Sequence, residues 1–420
     1  MVKVCLVYPE YYEVARFGTA RKEFPPFGVM YLASSLEKHG VDVQIIPTSV
    51  NNNVFDFSEF DLVGFSISSS VVYPLVYQTK MNSKYKEDCI TMAGGIHTTL
   101  YPEQVLSELD LDIVAIGEGE RTICDIVDHL FDRDFSKIKG IYYRLENKIV
   151  GNSQQDIICN LDSIPFPARH LLPKDLIVME RLADTKLPIA HVLFTRGCPY
   201  HCNFCANQNH SIRYRSKVKI MEELELLIKD YDIKGFCITD DNFLIDKDKV
   251  LPIIDEISKL NLKWSTLSRV DTIDSELLEK LKQSGCIEIK YGVESGSQYI
   301  LDSMNKGITI EEIKNAFYLT SSVGIKSKAL IMHGYPGENL KTTNETINLL
   351  NDLRNYISRV GLTYFTYLPG SPIYPENGLD YNYSVYCETQ VPWGTYEEKQ
   401  EVLEARKILK KYIKNNFENR

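Results

Sequence analysis

The chain has 420 residues, a net charge of −10 and 44% hydrophobic residues. One hydrophobic core seldom grows that large, so two or more domains are expected. The acidic balance disfavours nucleic acid as a ligand, which needs clustered Lys and Arg, and no apolar stretch is long enough to cross a bilayer.

Residues 1–140 alternate short apolar runs with helical patterns. Strands are expected at Val2–Tyr8, Val41–Ile46, Leu62–Ile67, Ile90–Ala93 and Ile113–Ile116. The first run is too short for a signal peptide and reads as a strand. Between the first two runs, Val29, Leu32, Ala33 and Leu36 mark one face of a helix, and Gly40 closes it. Ile123, Ile126, Val127 and Leu130 repeat that spacing after the fifth run. Such alternation predicts a doubly wound parallel sheet covered by helices on both faces. Ligands bind such sheets at the carboxyl ends of the strands. There the chain places Ser66 and Ser68, then Gly94, Gly95 and His97, then Gly117 and Glu118. Neither a G-x-G-x-x-G nor a Walker pattern is present, so a phosphate loop is not indicated.

Residues 141–185 change character. Tyr142-Tyr143-Arg144 and Lys148-Ile149-Val150 predict a small hairpin, and Pro165 and Pro167 force an extended linker. From residue 186 to 370, strands are expected at Ile189–Thr195, Gly235–Thr239, Trp264–Ser268, Ile287–Gly292, Ala329–Met332 and Gly361–Phe365. Helical stretches such as Met221–Tyr231 and Ser275–Gln283 separate them. Six repeated strand–helix units predict a partial barrel of the TIM type, (β/α)6, with its chemistry at the carboxyl strand ends. Residues 371–420 form a short C-terminal extension carrying Tyr374, Tyr381, Tyr383, Tyr386, Trp393 and Tyr396, expected to pack as a lid or helix. Its lysines are expected on a solvated face.

Three of the ten cysteines stand together. Cys198, Cys202 and Cys205 have the spacing C-x3-C-x2-C directly after the first barrel strand, with no fourth cysteine nearby. A structural zinc site wants four closed ligands; here His201 or His210 would have to complete it. Three thiolates on a 4Fe–4S cluster leave one iron open for chemistry. The other seven, Cys5, Cys89, Cys124, Cys159, Cys237, Cys286 and Cys387, are scattered singly and form no disulfide framework, which fits a reducing, cytoplasmic setting.

The cysteine run resembles the signature of the radical SAM superfamily, whose members bind S-adenosylmethionine (SAM) at the open iron. Further segments fit that resemblance in order. Phe204 stands where the family places an aromatic residue near the adenine. Asp240 and Asp241 occupy the place of the Gly-Gly-Glu segment that binds the SAM amino group, though the glycines are missing. Glu294 and Ser295, in Gly292-Val293-Glu294-Ser295-Gly296, match a SAM-contacting variant, and His333 lies in the fifth-strand segment that passes the adenine. Arg269 is placed to hold a SAM carboxylate or to pair with Asp271.

The first half resembles the Rossmann-like cobalamin-binding domain that precedes many radical SAM modules. The matching pieces are Phe24-Pro25-Pro26-Phe27-Gly28, Gly94-Gly95-Ile96-His97-Thr98 and Ile116-Gly117-Glu118-Gly119-Glu120. The Asp-x-His-x-x-Gly motif of another cobalamin family is absent, implying cobalamin held without a lower histidine. Together the resemblances imply a cobalamin-dependent radical SAM C-methyltransferase, using a 5′-deoxyadenosyl radical to activate an inert C–H bond and methylcobalamin as methyl donor. A non-methylating oxidative cyclase or rearrangement enzyme of the same architecture is the alternative. A methylthiotransferase fits less well, because the three further N-terminal cysteine motifs of that family are missing. The implied partners are a small-molecule or peptide substrate and a low-potential electron donor such as flavodoxin or ferredoxin, with no nucleic acid and no membrane.

Overall fold

A computed structural model describes residues 2–9, 25–48, 54–146, 148–207, 211–374 and 395–418. Phe24, His210, Cys387, Tyr381, Tyr383, Tyr386 and Trp393 lie outside the described residues. The chain divides into two compact units. Of the described residues, those up to 177 form the first and those from 178 onward the second.

The first unit is built on a seven-stranded sheet. Its strands are β1 (Lys3–Tyr8), β2 (Asp42–Pro47), β3 (Leu62–Ser66), β4 (Ile90–Gly94), β5 (Ile113–Ala115), β6 (Ile141–Leu145) and β7 (Lys148–Gly151). The spatial order is β2-β1-β3-β4-β5-β6-β7. The first five are parallel; β6 and β7 add antiparallel at the edge. The expected hairpin therefore completes this sheet instead of standing apart in the linker. The order 2-1-3-4-5 is that of flavodoxin-like sheets, whose switch point lies between β1 and β3. Central strands are apolar on both faces because helices cover both. Cys5, Val63, Phe65, Ala93 and Val114 pack into one of these layers.

The second unit carries another seven-stranded sheet: β8 (Val178–Leu182), β9 (Thr185–Val192), β10 (Gly235–Ile238), β11 (Lys263–Ser268), β12 (Cys286–Glu294), β13 (Lys326–His333) and β14 (Arg359–Tyr364), in that spatial order. β8 is an antiparallel edge that the sequence did not announce. The six strands β9–β14 are parallel, as the partial barrel requires. Side chains alternate along them. Tyr291, Val293, Ala329 and Ile331 pack against the helices, and Phe236 stacks on Trp264 at 5.8 Å between ring centroids. The opposite face is half-exposed.

The helices start where capping chemistry permits. Ser216 and Asp274 accept from the backbone N–H three residues on, and Thr309 forms a reciprocal pair with Glu312. The helix Tyr396–Ile413 buries Val402, Ala405, Leu409 and Ile413. Its lysines point outward, but Arg406 is buried. Among the described residues no helix is long and apolar enough to cross a membrane.

Candidate functional site

The three cysteines leave the carboxyl end of β9 in a loop pinned from several sides. Asn203 donates from its backbone to the Met304 carbonyl at 2.8 Å and from Nδ2 to the Ser303 carbonyl at 2.8 Å. The Asn305 amide donates to the His201 carbonyl at 2.8 Å. Arg269, at the end of β11, sits over the Tyr200 ring with Cζ 3.6 Å from its centroid. The same guanidinium grips Asp271 with two bonds of 2.8 Å and donates to the Lys306 carbonyl at 2.7 Å. Arg269 is thus committed to Asp271 and to the loop, which leaves it no fork for a SAM carboxylate.

The sulfur atoms meet donors. Arg269 Nη1 is 3.9 Å from Cys202 Sγ, the Asn207 N–H is 3.4 Å from Cys205 Sγ, and the Tyr200 N–H faces Cys198. Burial pushes the Cys198 and Cys205 thiols up, and the donors aimed at sulfur pull the other way, toward the thiolates that a cluster binds. Each thiolate of a four-iron cluster binds a different iron, so three cysteines in one loop suffice to hold it with one iron left open.

The two aspartates after β10 have separate fates. Asp240 is buried. One oxygen accepts from the Phe194 N–H at 2.9 Å and the other from the Thr195 hydroxyl at 2.7 Å. Burial pushes its carboxyl up to about 7, against the pull of those bonds. Asp240 therefore holds the start of the cysteine loop. Asp241 is exposed, with the Asn207 amide at 3.5 Å. Next to it stands a residue that the sequence reading passed over. Asn242 is 1% exposed, and neither atom of its amide finds a hydrogen-bond partner.

At the end of β12, Glu294 adopts the left-handed conformation, φ 62°. Its carboxylate accepts from Lys306 Nζ at 2.7 Å. Gly292 makes room for this pair: a Cβ there would sit 2.6 Å from Glu294 Oε1. Lys306 Nζ also stands 5.7 Å from the centroid of the Phe204 ring. Ser295 is buried and turned away, 3.3 Å from the Thr346 hydroxyl. Ser297 Oγ is buried without a partner. His333 closes β13. Its Nε2 is 3.1 Å from the Thr343 hydroxyl, while its buried Nδ1 has no partner. Burial, reinforced by Arg406, pushes His333 down to about 3, so the ring is neutral. Nearby Glu338 accepts from the Gly334 N–H, and burial pushes it up to about 7. Asn242, Ser297 and His333 thus offer orphaned buried polar atoms at the carboxyl ends of three strands of one sheet. Native proteins rarely leave such atoms unpaired unless water or a ligand meets them.

In the first unit the predicted residues also gather at carboxyl strand ends. Ser66 and Gly94 are register partners. Gly95 has φ 129°, and a Cβ there would strike the Ile67 carbonyl at 2.4 Å; only glycine permits this crossing. Gly117, at φ 74°, faces open space. His97 is packed between Tyr73 and Tyr101, with Nδ1 3.2 Å from the Ser70 hydroxyl. Burial pushes it down to about 4. Glu118 accepts from the Ile158 N–H at 2.8 Å and so anchors the following segment. Ser66 and Ser68 remain half-buried, and Ile96 is exposed beside the glycines. Small residues, bare backbone and an exposed apolar side chain fit a large flat cofactor laid on the strand ends.

Residues 192–350 match the radical SAM superfamily and residues 14–127 match the B12 binding domain. A protein named as an uncharacterized methyltransferase of Pyrococcus horikoshii is 30% identical over 365 residues, which cover 83% of this chain and 78% of that protein. The anaerobic magnesium-protoporphyrin IX monomethyl ester cyclase of Rubrivivax gelatinosus is 27% identical over 90% of this chain and 70% of its own. In fold, the chain is similar to the radical S-adenosylmethionine methyltransferase TsrM of Kitasatospora setae, solved with cobalamin and a 4Fe–4S cluster. The TM-score is 0.68 and the identity 16%, over 89% of this chain and 74% of that one. The chain belongs to the cobalamin-binding radical SAM family. It is an enzyme, with a 4Fe–4S cluster, SAM and cobalamin as its cofactors.

Proposed function

We propose that the enzyme methylates an unactivated carbon of a small molecule. The observation that carries the reading is the three-cysteine loop after the first barrel strand in a chain whose first half matches a B12 binding domain. When bound, the cluster and SAM supply a 5′-deoxyadenosyl radical and cobalamin carries the methyl group.

The chain's own residues then divide their tasks. Cys198, Cys202 and Cys205 hold the cluster. Arg269 and Tyr200 stiffen their loop, and Asp240 fixes where it begins. Asp241, Asn242, Glu294 and His333 bind SAM, with Phe204 against its adenine. Lys306 orients Glu294. Ser295 serves by packing and does not touch the cofactor. In the first unit, the backbone at Gly94, Gly95 and Gly117 and the hydroxyls of Ser66 and Ser68 bear cobalamin. His97 and Glu118 shape that surface from behind. The division into a cobalamin domain, linker, barrel and C-terminal extension belongs to this reading. So do a low-potential donor such as flavodoxin or ferredoxin and a reducing, cytoplasmic compartment. The nine described cysteines are all free, which supports the last point.

The test is an anaerobic assay with SAM labelled in its methyl group. Deoxyadenosine release and label in a product heavier by one methyl group are expected. No deoxyadenosine with any low-potential reductant would sink the radical reading. The relationship to the cyclase of Rubrivivax gelatinosus favours one second reading, oxidative ring closure. Deoxyadenosine with an unlabelled product that has lost hydrogen would select it.

A further inference from the structure

The C-terminal helix Tyr396–Ile413 does more than cover the second unit. Val402, Ala405, Leu409 and Ile413 form its apolar stripe, yet Arg406 is buried beside them at 8% exposure. Burying a guanidinium is costly, and an apolar side chain in that place would pack without the cost. Its surroundings show what the arginine is for. Arg406 Cζ lies 4.0 Å from the centroid of the Tyr364 ring, at the end of β14. It also approaches Gly334, the residue after β13. A Cβ there would come 2.9 Å from Arg406 Nη2 and 3.8 Å from Val402 Cγ1. Gly334 has φ 94° as well, so glycine serves both the turn and the close approach of the helix. Glu401 ties the helix to the same corner, accepting from the Leu340 N–H at 3.1 Å.

That corner holds His333. The Phe365 N–H donates to the His333 carbonyl at 2.9 Å, so the chain next to Tyr364 is bonded to it. The Gly334 N–H donates to the Glu338 carboxylate, and the Glu338 N–H to the Tyr335 carbonyl at 3.0 Å. His333 Nε2 stands 3.8 Å from Glu338 Oε2 and 3.1 Å from the Thr343 hydroxyl. The titratable groups that act on one another here are Arg406, Glu338, His333 and Tyr364. The positive charge of Arg406 favours the Glu338 carboxylate over the acid and the neutral His333 ring over the imidazolium.

We infer that Arg406 is a positioning residue for SAM: from the C-terminal helix it holds the turn 334–338 so that His333 presents its buried Nδ1 to the ligand. The inference rests on the reading of His333 as a SAM contact. Arg406 itself touches no cofactor. The C-terminal helix is then a working part of the barrel site.

Equilibrium binding of SAM to the full, cluster-loaded chain tests this, measured anaerobically from about pH 5.5 to 8.5. Arg406→Gln should weaken SAM binding about tenfold at the acid end of that range and less at the alkaline end. Without the arginine charge, both Glu338 and His333 take up protons at higher pH, so the acid limb of the binding profile moves up. Arg406→Lys keeps the charge and should return the limb toward that of the parent. Iron per chain should stay unchanged in both variants. A loss equal at every pH and not recovered by lysine marks Arg406 as packing alone and overturns the inference, as does unchanged SAM affinity. A measurement on the unaltered chain guards against variants that fail to fold. Saturating SAM should slow amide exchange in peptides spanning residues 334–338 and 400–409. Protection that spares the helix overturns the inference. His333→Ala separates the two readings. Full SAM affinity in His333→Ala defeats the assignment of His333, and the inference with it. Affinity lost in His333→Ala but kept in Arg406→Gln defeats the inference alone.

Discussion

Lys306 Nζ lies 2.7 Å from Glu294 Oε1, and both side chains are nearly shut off from solvent, at 7% and 12% exposure. Such a pair is costly to break from one side, because the remaining charge stays buried. Lys306→Ala should destabilise the second unit by about 3–5 kcal/mol. The backbone carbonyl of Lys306, which Arg269 uses, survives the change. Iron content per chain should therefore hold while SAM affinity falls. Lys306→Arg should restore part of it. Equal loss of iron and SAM would refute the assignment of Lys306 to Glu294.

Arg269 gives the opposite expectation. Its guanidinium sits over the Tyr200 ring, forks to Asp271 and approaches Cys202 Sγ. Lysine cannot reproduce a planar fork. Arg269→Lys and Arg269→Ala should both lower iron loading of the reconstituted protein, read as iron per chain and visible absorbance. A variant that loads iron fully but binds SAM poorly would place Arg269 on SAM instead.

The sequence shows where these groups cluster better than which way they point. The first unit's central strands, buried on both faces, read as apolar runs, and those of the second, with one buried and one half-exposed face, still carry enough apolar residues to be legible. The antiparallel edges were not: β8 is short and half-exposed, and β6–β7 looks like a free-standing hairpin until its pairing with β5 is seen. Cysteine spacing marked the loop because three thiolates at that spacing have few uses. Asp240 and Asp241 could not be told apart, because one step of backbone decides which carboxylate turns inward to Phe194 and Thr195. Asn242, Ser297 and Lys306 were invisible for a related reason. An orphaned amide or a buried ion pair is a property of three-dimensional neighbours, and Lys306 lies twelve residues beyond Glu294.

Asp240 and Asn242 make a paired test of that distinction. Asp240→Ala removes the acceptor for Phe194 N–H and the Thr195 hydroxyl in a buried place. A cost of about 1–3 kcal/mol per unsatisfied group is expected, seen as lower stability and weaker cluster retention. Asn242→Ala removes a side chain whose amide has no partner within the protein. It should leave stability nearly unchanged and weaken SAM binding about tenfold or more. Equilibrium binding of SAM to cluster-loaded protein separates the two. Unchanged SAM affinity in Asn242→Ala would return that residue to the plain core.

Burial holds His97 at about 4, below its ordinary value near 6.5. The unfolded chain therefore takes up a proton first as pH falls. The stabilising contribution of the neutral ring is complete above pH 6.5 and is lost between pH 6.5 and about 4. Glu338 works in the other direction, because its raised value near 7 means stability is lost as pH rises from about 4.5 to 7. The two residues sit in different units, so a local probe can separate them. Hydrogen exchange at the amides of β3 and β4 should show protection falling from pH 6.5 to pH 5 in the parent. In His97→Gln that fall should be smaller when compared with the parent at each pH. An equal fall in both proteins would show that His97 does not set the acid sensitivity of the first unit.

Gly95 and Gly117 differ in what a methyl group would meet, and this separates folding from cofactor binding. A Cβ at Gly95 collides with the Ile67 carbonyl at 2.4 Å, in a conformation that other residues rarely adopt. Gly95→Ala should loosen the packing of the β4 end against the β3 loop and lower the stability of the first unit by several kcal/mol. At Gly117 nothing lies within 4 Å of the added Cβ, so Gly117→Ala carries only the left-handed backbone cost of about 1–2 kcal/mol. If cobalamin lies against that bare backbone, the new methyl group occupies its place. Cobalamin retained after gel filtration, read from its visible absorbance, should fall in Gly117→Ala although the protein stays folded by circular dichroism. Full cobalamin retention in this variant would move the cofactor away from the β5 end and leave the glycine as turn chemistry alone.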